Sequence, residues 1–297
     1  MSEKLLLIIN PYAGKRRVRG EMFNIVDILS KQYADISVHL TTQQGDAMTY
    51  VCAHASEYDK VVCCGGDGTL NEVINGVMAH EKRIPIGYIP TGSTNDFATT
   101  MKISANIKKA AAMSADGTAY AHDVGLFNDV RHFSYIASLG AFTKTSYSTS
   151  QKLKNQLGHA AYILEAAKSL GDISPFAMRV ETEDHAEEGE FLLGAISNST
   201  SIGGVFKLKA SEVIPDDGEF EVVLVRRPKN AATGYLRIVQ SLLSQKYDPE
   251  LISFFRAKEI NITTKEPLAW TLDGESGGTY TQVNIKNLHK AIDIIHG

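Results

Sequence analysis

The chain has 297 residues, 43% hydrophobic and 22% charged, with 30 Lys and Arg against 34 Asp and Glu for a net charge of −4. That length allows two domains or one large one, and the slightly acidic balance gives no support to nucleic acid as a main partner. The cysteines Cys52, Cys63 and Cys64 show no zinc spacing, and the adjacent pair reads as reduced core, which fits a cytosolic protein.

Residues 4–9 read as a first strand, apolar on both faces as in a parallel sheet. Pro11 follows so closely that this run is neither a signal peptide nor a membrane span. Asn10-Pro11-Tyr12-Ala13-Gly14-Lys15 ends the strand. Met22, Ile25, Val26 and Leu29 give residues 19–32 helical spacing. Ile36 to Leu40 is a second strand, Thr41 to Ala47 a loop, and a helix runs from there to about Ala55. The stretch Lys60 to Gly76 then organises the whole chain. An apolar run enters Gly65-Gly66-Asp67-Gly68-Thr69, and Leu70, Val73, Ile74 and Val77 continue on one helical face. This is strand, glycine loop and helix. The glycines permit positive φ and leave amides pointing at open space before a helix start, where an anion, most often a phosphate, is favoured. Thr69 can cap that helix. The alternative is a tight turn solvated by Asp67. No Lys follows the glycines, and their spacing is not that of a dinucleotide fingerprint.

Pro85 to Ile89 is a further strand, followed by the loop Pro90 to Ala98 and a helix over 105–115. Strand and helix alternate to about residue 120, which predicts parallel βαβ units with ligands beyond the carboxyl ends of the strands. Asn10, Thr41, Gly65–Thr69 and Gly92–Asp96 all follow strands, and this constellation favours a nucleotide site over a bland turn. After about Asp123 short alternating segments take over: 131–139, 176–182, 190–196, 220–226, 254–263, 268–272 and 279–285. They predict an antiparallel β domain, a sandwich, interrupted by helices over 152–170 and 231–244. The final strand, 290–295, fits either domain. The expected division is an α/β nucleotide domain over 1–124, to which a strand at about 288–297 returns, and a β-sandwich over 125–287.

Three further stretches stand out. Lys15, Arg16, Arg17 and Arg19 form a basic run that reads equally as a solvated helix start or as a partner for phosphates or anionic lipid. Residues 142–170 combine Lys144, Lys152, Lys154 and Lys168 with Tyr147, Leu153, Leu157 and Tyr162, the pattern of a core-packed helix or of a basic amphipathic helix on a membrane. The acidic run 181–190 reads as a solvated hairpin tip. The scattered histidines have no metal-ligand spacing.

The glycine loop with Asn71 resembles the signature shared by diacylglycerol kinases, sphingosine kinases and NAD kinases. Asn10-Pro11 with Gly14-Lys15, Gly45-Asp46-Ala47, Pro90 with Gly92 and Asn95-Asp96-Phe97-Ala98, Asp216-Asp217-Gly218 and Asp273-Gly274-Glu275 narrow the resemblance to the bacterial diacylglycerol kinase-like lipid kinases, nearly end to end. The resemblance implies an NAD-kinase-like α/β nucleotide domain, a C-terminal antiparallel β-sandwich, and transfer of the ATP γ-phosphate to a lipid hydroxyl, most simply diacylglycerol to phosphatidic acid. Carried over residue by residue, it assigns the nucleotide to Asn10, Thr41, Gly65, Gly66, Asp67, Gly68, Thr69, Leu70, Asn71 and Ser93. Ser93 stands where the family usually has Thr. A structural magnesium falls to the backbone carbonyls of Ile214 and Glu219 and the side chain of Asp217, with Glu219 in place of an apolar or aromatic residue. Asp273 becomes the general base, with Glu275 orienting it and Asp67 serving the nucleotide's magnesium. Taken alone, Asp273-Gly274 reads as a hairpin turn. Further implications are ATP and Mg2+ as cofactors, a lipid substrate met at the membrane surface, and a cytoplasmic protein held peripherally at the inner face. Monomer and homodimer both stay open. The competing readings are an NAD kinase and a nucleotide-binding regulatory protein without turnover.

Overall fold

The computed structural model describes residues 3–14, 18–140, 167–168, 170–202, 206–209 and 211–297. The basic residues Lys15, Arg16 and Arg17, and the 142–170 stretch apart from its last few positions, lie outside the described residues. The chain forms two compact units.

The first unit comprises Met1–Val124, Arg131–Ser134 and Leu288–Gly297. Its strands are β1 (Lys4–Ile9), β2 (Asp35–Leu40), β3 (Lys60–Gly65), β4 (Ile86–Pro90) and the end of a long final strand, β15 (Glu275–His296). They pair in the order β2-β1-β3-β4-β15, all in parallel. Leu5, Leu6, Leu7, Ile8, Val61, Val62, Cys63 and Cys64 are fully buried, because helices cover the sheet. These are α1 (Val18–Leu29), α2 (Asp46–His54), α3 (Asp67–Met78), α4 (Asp96–Thr100) and α5 (Ile107–Asp116), with α1 packed on α5 and α2 on α3. From β1 the chain goes outward to β2, then returns to β3 on the other side of β1. The strand order therefore reverses between β1 and β3, which makes the ends of these two strands the switch point where such sheets bind ligands.

The second unit comprises Gly125–Val130 and Tyr135–Asn287. Strands β5 (Thr118–Phe127) and β6 (Arg131–Phe133) pair with each other and carry the chain toward it. Its own strands are β7 (Ile136–Gly140), β8 (Phe176–Glu181), β9 (Ala186–Ser197), the short pair β10 (Ser201–Ile202) and β11 (Phe206–Lys207), β12 (Phe220–Arg226), β13 (Ile252–Ala257) and β14 (Glu259–Leu272). All pairings here are antiparallel. The strands β7 and β8 lie end to end between the long β9 and β14, β12 and β13 extend the sheet beyond β9, and β15 extends it beyond β14. Burial alternates along the start of β14, so one face is packed and the other wet. Helix α6 (Ala231–Ser244) buries Ile238, Val239 and Leu242 where the periodicity placed it.

Several elements differ from their sequence expectation, each for a local reason. The expected strand 131–139 is broken into β6 and β7, because the amides of Tyr135 and Ile136 turn to the Asp273 carboxylate. Pro267 does not end β14; a register shift between Thr263 and Leu268 absorbs it. The final strand is continuous from Glu275 to His296, with Lys290 at φ 50 inside it. The acidic run does contain a hairpin tip, where Glu183 and Asp184 are exposed, but it extends beyond it. The turn is Thr182 to His185, closed by a 2.8 Å backbone hydrogen bond, and the acids that follow belong to β9. Among them Glu187 is nearly buried against Arg226 at 2.7 Å.

Candidate active site

Four loops leave the carboxyl ends of β1, β2, β3 and β4. The switch point lies between the first and third of them, and Asn10 spans it: its backbone N–H bonds to Cys64 O at 2.9 Å and its Nδ2 donates to Thr69 Oγ1 at 3.0 Å. Asn10 Oδ1 accepts the Tyr12 amide, which fixes the side chain's orientation. Thr69 is therefore not the helix cap. Helix α3 starts at Asp67 with Gly66 as its N-cap and no side-chain cap, leaving the first-turn amides without partners inside the helix.

The glycines of this loop do not adopt positive φ. Gly66 is extended, at φ −95 and ψ −176. What they supply is close approach. A Cβ on Gly92 would lie 2.6 Å from the Gly66 Cα, and one on Gly14, which does have φ +50, would lie 2.4 Å from Thr91 O. The loops after β1, β3 and β4 thus stack backbone on backbone, and a side chain at Gly14 or Gly92 would force backbone to move.

Side chains then lock the stack. Asp67 accepts the amides of Asp96 at 3.0 Å and Phe97 at 3.3 Å, holding the start of α4 against the glycine loop. Asn95, itself at φ 55, accepts the Gly92 amide at 2.9 Å and donates back to Gly92 O at 2.9 Å. Glu72, one turn into α3, accepts the amides of Gly45 at 2.7 Å and Ala47 at 3.1 Å, which ties the α2 start to the same helix. Asp46 is held below the usual carboxylate range, chiefly by the Thr42 amide and also by His39. Asn71 Nδ2 reaches His132 O at 3.2 Å, and Asn75 Oδ1 accepts the His132 amide. Burial lowers the His132 pKa, so its ring favours the neutral form.

Of the expected nucleotide residues, Asn10, Thr41, Gly65, Gly66, Asp67, Gly68, Thr69, Leu70 and Asn71 all lie on or beside this stack, with Thr41 bound to Ile9 O through its amide. Leu70 is fully buried, so it can offer only backbone. Ser93 sits exposed on the turn between Gly92 and Asn95. Glu72 and Asn95 carry positioning roles that the sequence reading did not assign. Glu72 could have been found as an acid, otherwise costly to bury, one helical turn inside a mostly buried helix.

The second unit holds the other candidates. Asp273 and Gly274 form a two-residue hairpin, both with positive φ (49 and 84), between the paired Leu272 and Glu275. The hairpin reading is thus geometrically right. Asp273 is nearly buried; its Oδ1 accepts the amides of Tyr135 and Ile136, both at 3.0 Å, while its own amide bonds to Ile136 O. Glu275 is exposed at the start of β15. At the remaining position, Asp217 Oδ1 accepts the Glu219 amide at 3.1 Å, and Asp217 and Glu219 are both ion-paired with Arg256. Ile214 is half exposed. Burial first, then the charges of Glu219 and Glu212, push the neighbouring Glu221 up to about 8.

A doubly wound sheet with a glycine loop at its switch point, followed by an antiparallel β unit, is the class of protein met here. Residues 4–127 match the family model for the diacylglycerol kinase catalytic domain, and residues 138–296 match that of the YegS C-terminal NAD kinase beta sandwich-like domain. A diacylglycerol kinase of Staphylococcus carnosus is 32% identical over 99% of this chain and 95% of its own length. One from Staphylococcus aureus (strain MRSA252) is 32% identical over 99% and 92%. The crystal structure of a diacylglycerol kinase from Bacillus anthracis str. Sterne superposes with a TM-score of 0.78 at 26% identity, covering 100% of this chain and 97% of the other. The chain belongs to the bacterial diacylglycerol kinase-like lipid kinase family.

Proposed function

We propose that the protein transfers the γ-phosphoryl group of ATP, presented as its magnesium complex, to the hydroxyl of diacylglycerol, giving phosphatidic acid. The observation that carries this reading is the glycine loop at the switch point, with Asn10 bonded across it to Thr69 at 3.0 Å. A phosphate there meets the first-turn amides of α3 and the positive end of its dipole. Asn10, Thr41, Gly65–Asn71 and Ser93 hold the nucleotide, and magnesium on its phosphates neutralises charge. Asp67 positions the loops through the amides of Asp96 and Phe97. In the transfer, the lipid oxygen bonds to phosphorus, the bond from phosphorus to ADP breaks, and the hydroxyl proton passes to the Asp273 carboxylate. The amides of Tyr135 and Ile136 hold that carboxylate in one orientation, and Glu275 tunes it from the same hairpin. No helix among the described residues is long and apolar enough to cross a membrane. The lipid is met by peripheral contact with the inner face of the membrane, from the cytoplasm.

The test is γ-labelled ATP with magnesium, offered diacylglycerol in anionic vesicles or NAD. Label in the chloroform extract is expected; label on NAD, or none anywhere, overturns the reading. Asp273→Asn keeps an oxygen for the Tyr135 and Ile136 amides, so the variant should fold and bind ATP. Its turnover should fall by about 10²–10⁴-fold, the usual contribution of a general base. Retention of more than about a tenth of wild-type turnover rejects Asp273 as the base, and Glu275→Gln should lose less.

A further inference from the structure

The carboxylates of Asp217, Glu219 and Glu221 converge on one guanidinium. Glu221 in β12 stands directly opposite Arg256 in β13, so the ladder register fixes the encounter. Arg256 Nε lies 3.6 Å from Glu221 Oε1, its Nη1 lies 3.5 Å from Glu219 Oε2, and its Nη2 pairs with Asp217. Each nitrogen of the planar fork thus faces a different carboxylate, a use that guanidinium geometry permits and a lysine ammonium does not. Glu221 is fully buried and Asp217 is mostly so. Asp217 and Glu219 need a countercharge, and here a side chain of the same unit stands within reach of both.

This arrangement disagrees with the magnesium that the family resemblance places on Ile214, Asp217 and Glu219. Magnesium demands near-octahedral oxygen at about 2.0–2.1 Å and surrenders its water reluctantly. A guanidinium paired with the one carboxylate expected to bind the ion repels a second cation at that position.

We propose that Arg256 is the resident cation of the Asp217, Glu219 and Glu221 cluster, and that the second unit folds without a divalent metal there. The inference does not depend on the reaction proposed above, in which magnesium arrives with the nucleotide, and it is tested without nucleotide.

The experiment uses the full chain. Thermal unfolding is followed in EDTA and across a magnesium titration, and Mn2+ binding is measured by electron paramagnetic resonance. The wild type should melt at the same temperature throughout and hold no stoichiometric Mn2+. Arg256→Gln should melt several degrees lower in EDTA and recover part of that loss as magnesium is added. Arg256→Lys, which restores the charge without the fork, should fall between them. A wild-type midpoint that rises with magnesium, or stoichiometric Mn2+ lost in Asp217→Asn, overturns the proposal. So does an Arg256→Gln protein that melts like the wild type in EDTA. If Arg256→Gln does not fold, the wild-type measurements decide alone.

Discussion

At the scale of single residues, the stack of loops turns on glycines whose importance is contact, not torsion. Gly92 and Gly66 approach through their Cα atoms, and the two positions are not equivalent. A Cβ on Gly92 would meet the Gly66 Cα at 2.6 Å and Asn95 Oδ1 at 2.7 Å, whereas one on Gly66 would find the Gly92 Cα at 3.2 Å. The second neighbour needs to give by only a few tenths of an ångström; the first forces backbone to move. Gly92→Ala should therefore cost about 1–3 kcal/mol, as overpacking does, and weaken ATP binding more than Gly66→Ala. Urea melts and ATP titrations on both variants check the order, and equal losses would contradict the contact picture. The glycine loop was legible in the sequence less from its three glycines, which a tight turn would also explain, than from the polar loops that follow the neighbouring strands. The reason for each glycine was not, since their partners come from loops a long way off in the chain.

At the scale of elements, periodicity found α1, α2, α3, α5, α6 and the parallel strands, while the short α4 lies in a stretch read as loop. It failed where a long-range polar contact decides an end. The break between β6 and β7 exists because Asp273 claims the amides of Tyr135 and Ile136. The start of α2 is similar: its N-cap, Gly45, has no side-chain cap, and the amides there are satisfied by Glu72 from α3. Charge-assisted bonds to helix-start amides are stronger than neutral ones. Glu72→Ala should destabilise the protein by about 1–2 kcal/mol, the range of a lost N-cap. It should also speed hydrogen exchange at Gly45 and Ala47 before other amides of α2. A variant with unchanged exchange at those amides would show that the cap is not what holds the helix start.

At the scale of the whole molecule, β15 serves both units: residues up to Asn287 count in the second, and Leu288–Gly297 in the first. Its end adds a strand beside β4, pairing Ile294 with Ile86 and Ile295 with Gly87, and it buries Ile292, Ile294 and Ile295. In the sequence this segment is an apolar strand that fits either unit, because alternation records burial and not the identity of the neighbour. Truncation after Asn287 removes the edge cover of β4 and those buried isoleucines. The truncated protein should lose the cooperative unfolding of its first unit and its ATP binding. Retention of both would mean that the strand is dispensable.

That shared strand also sets an order of manufacture. A ribosome delivers the chain from its amino end, and folding units normally close as they emerge. Here the parallel sheet begins with β1 yet receives the strand beside β4 only after the whole second unit has been made. The glycine loop after β3 is synthesised before the second unit and must wait for β15, which follows it. A message cut short before the end of β15 thus yields polypeptide with an unfinished nucleotide sheet, so such products should not compete for ATP.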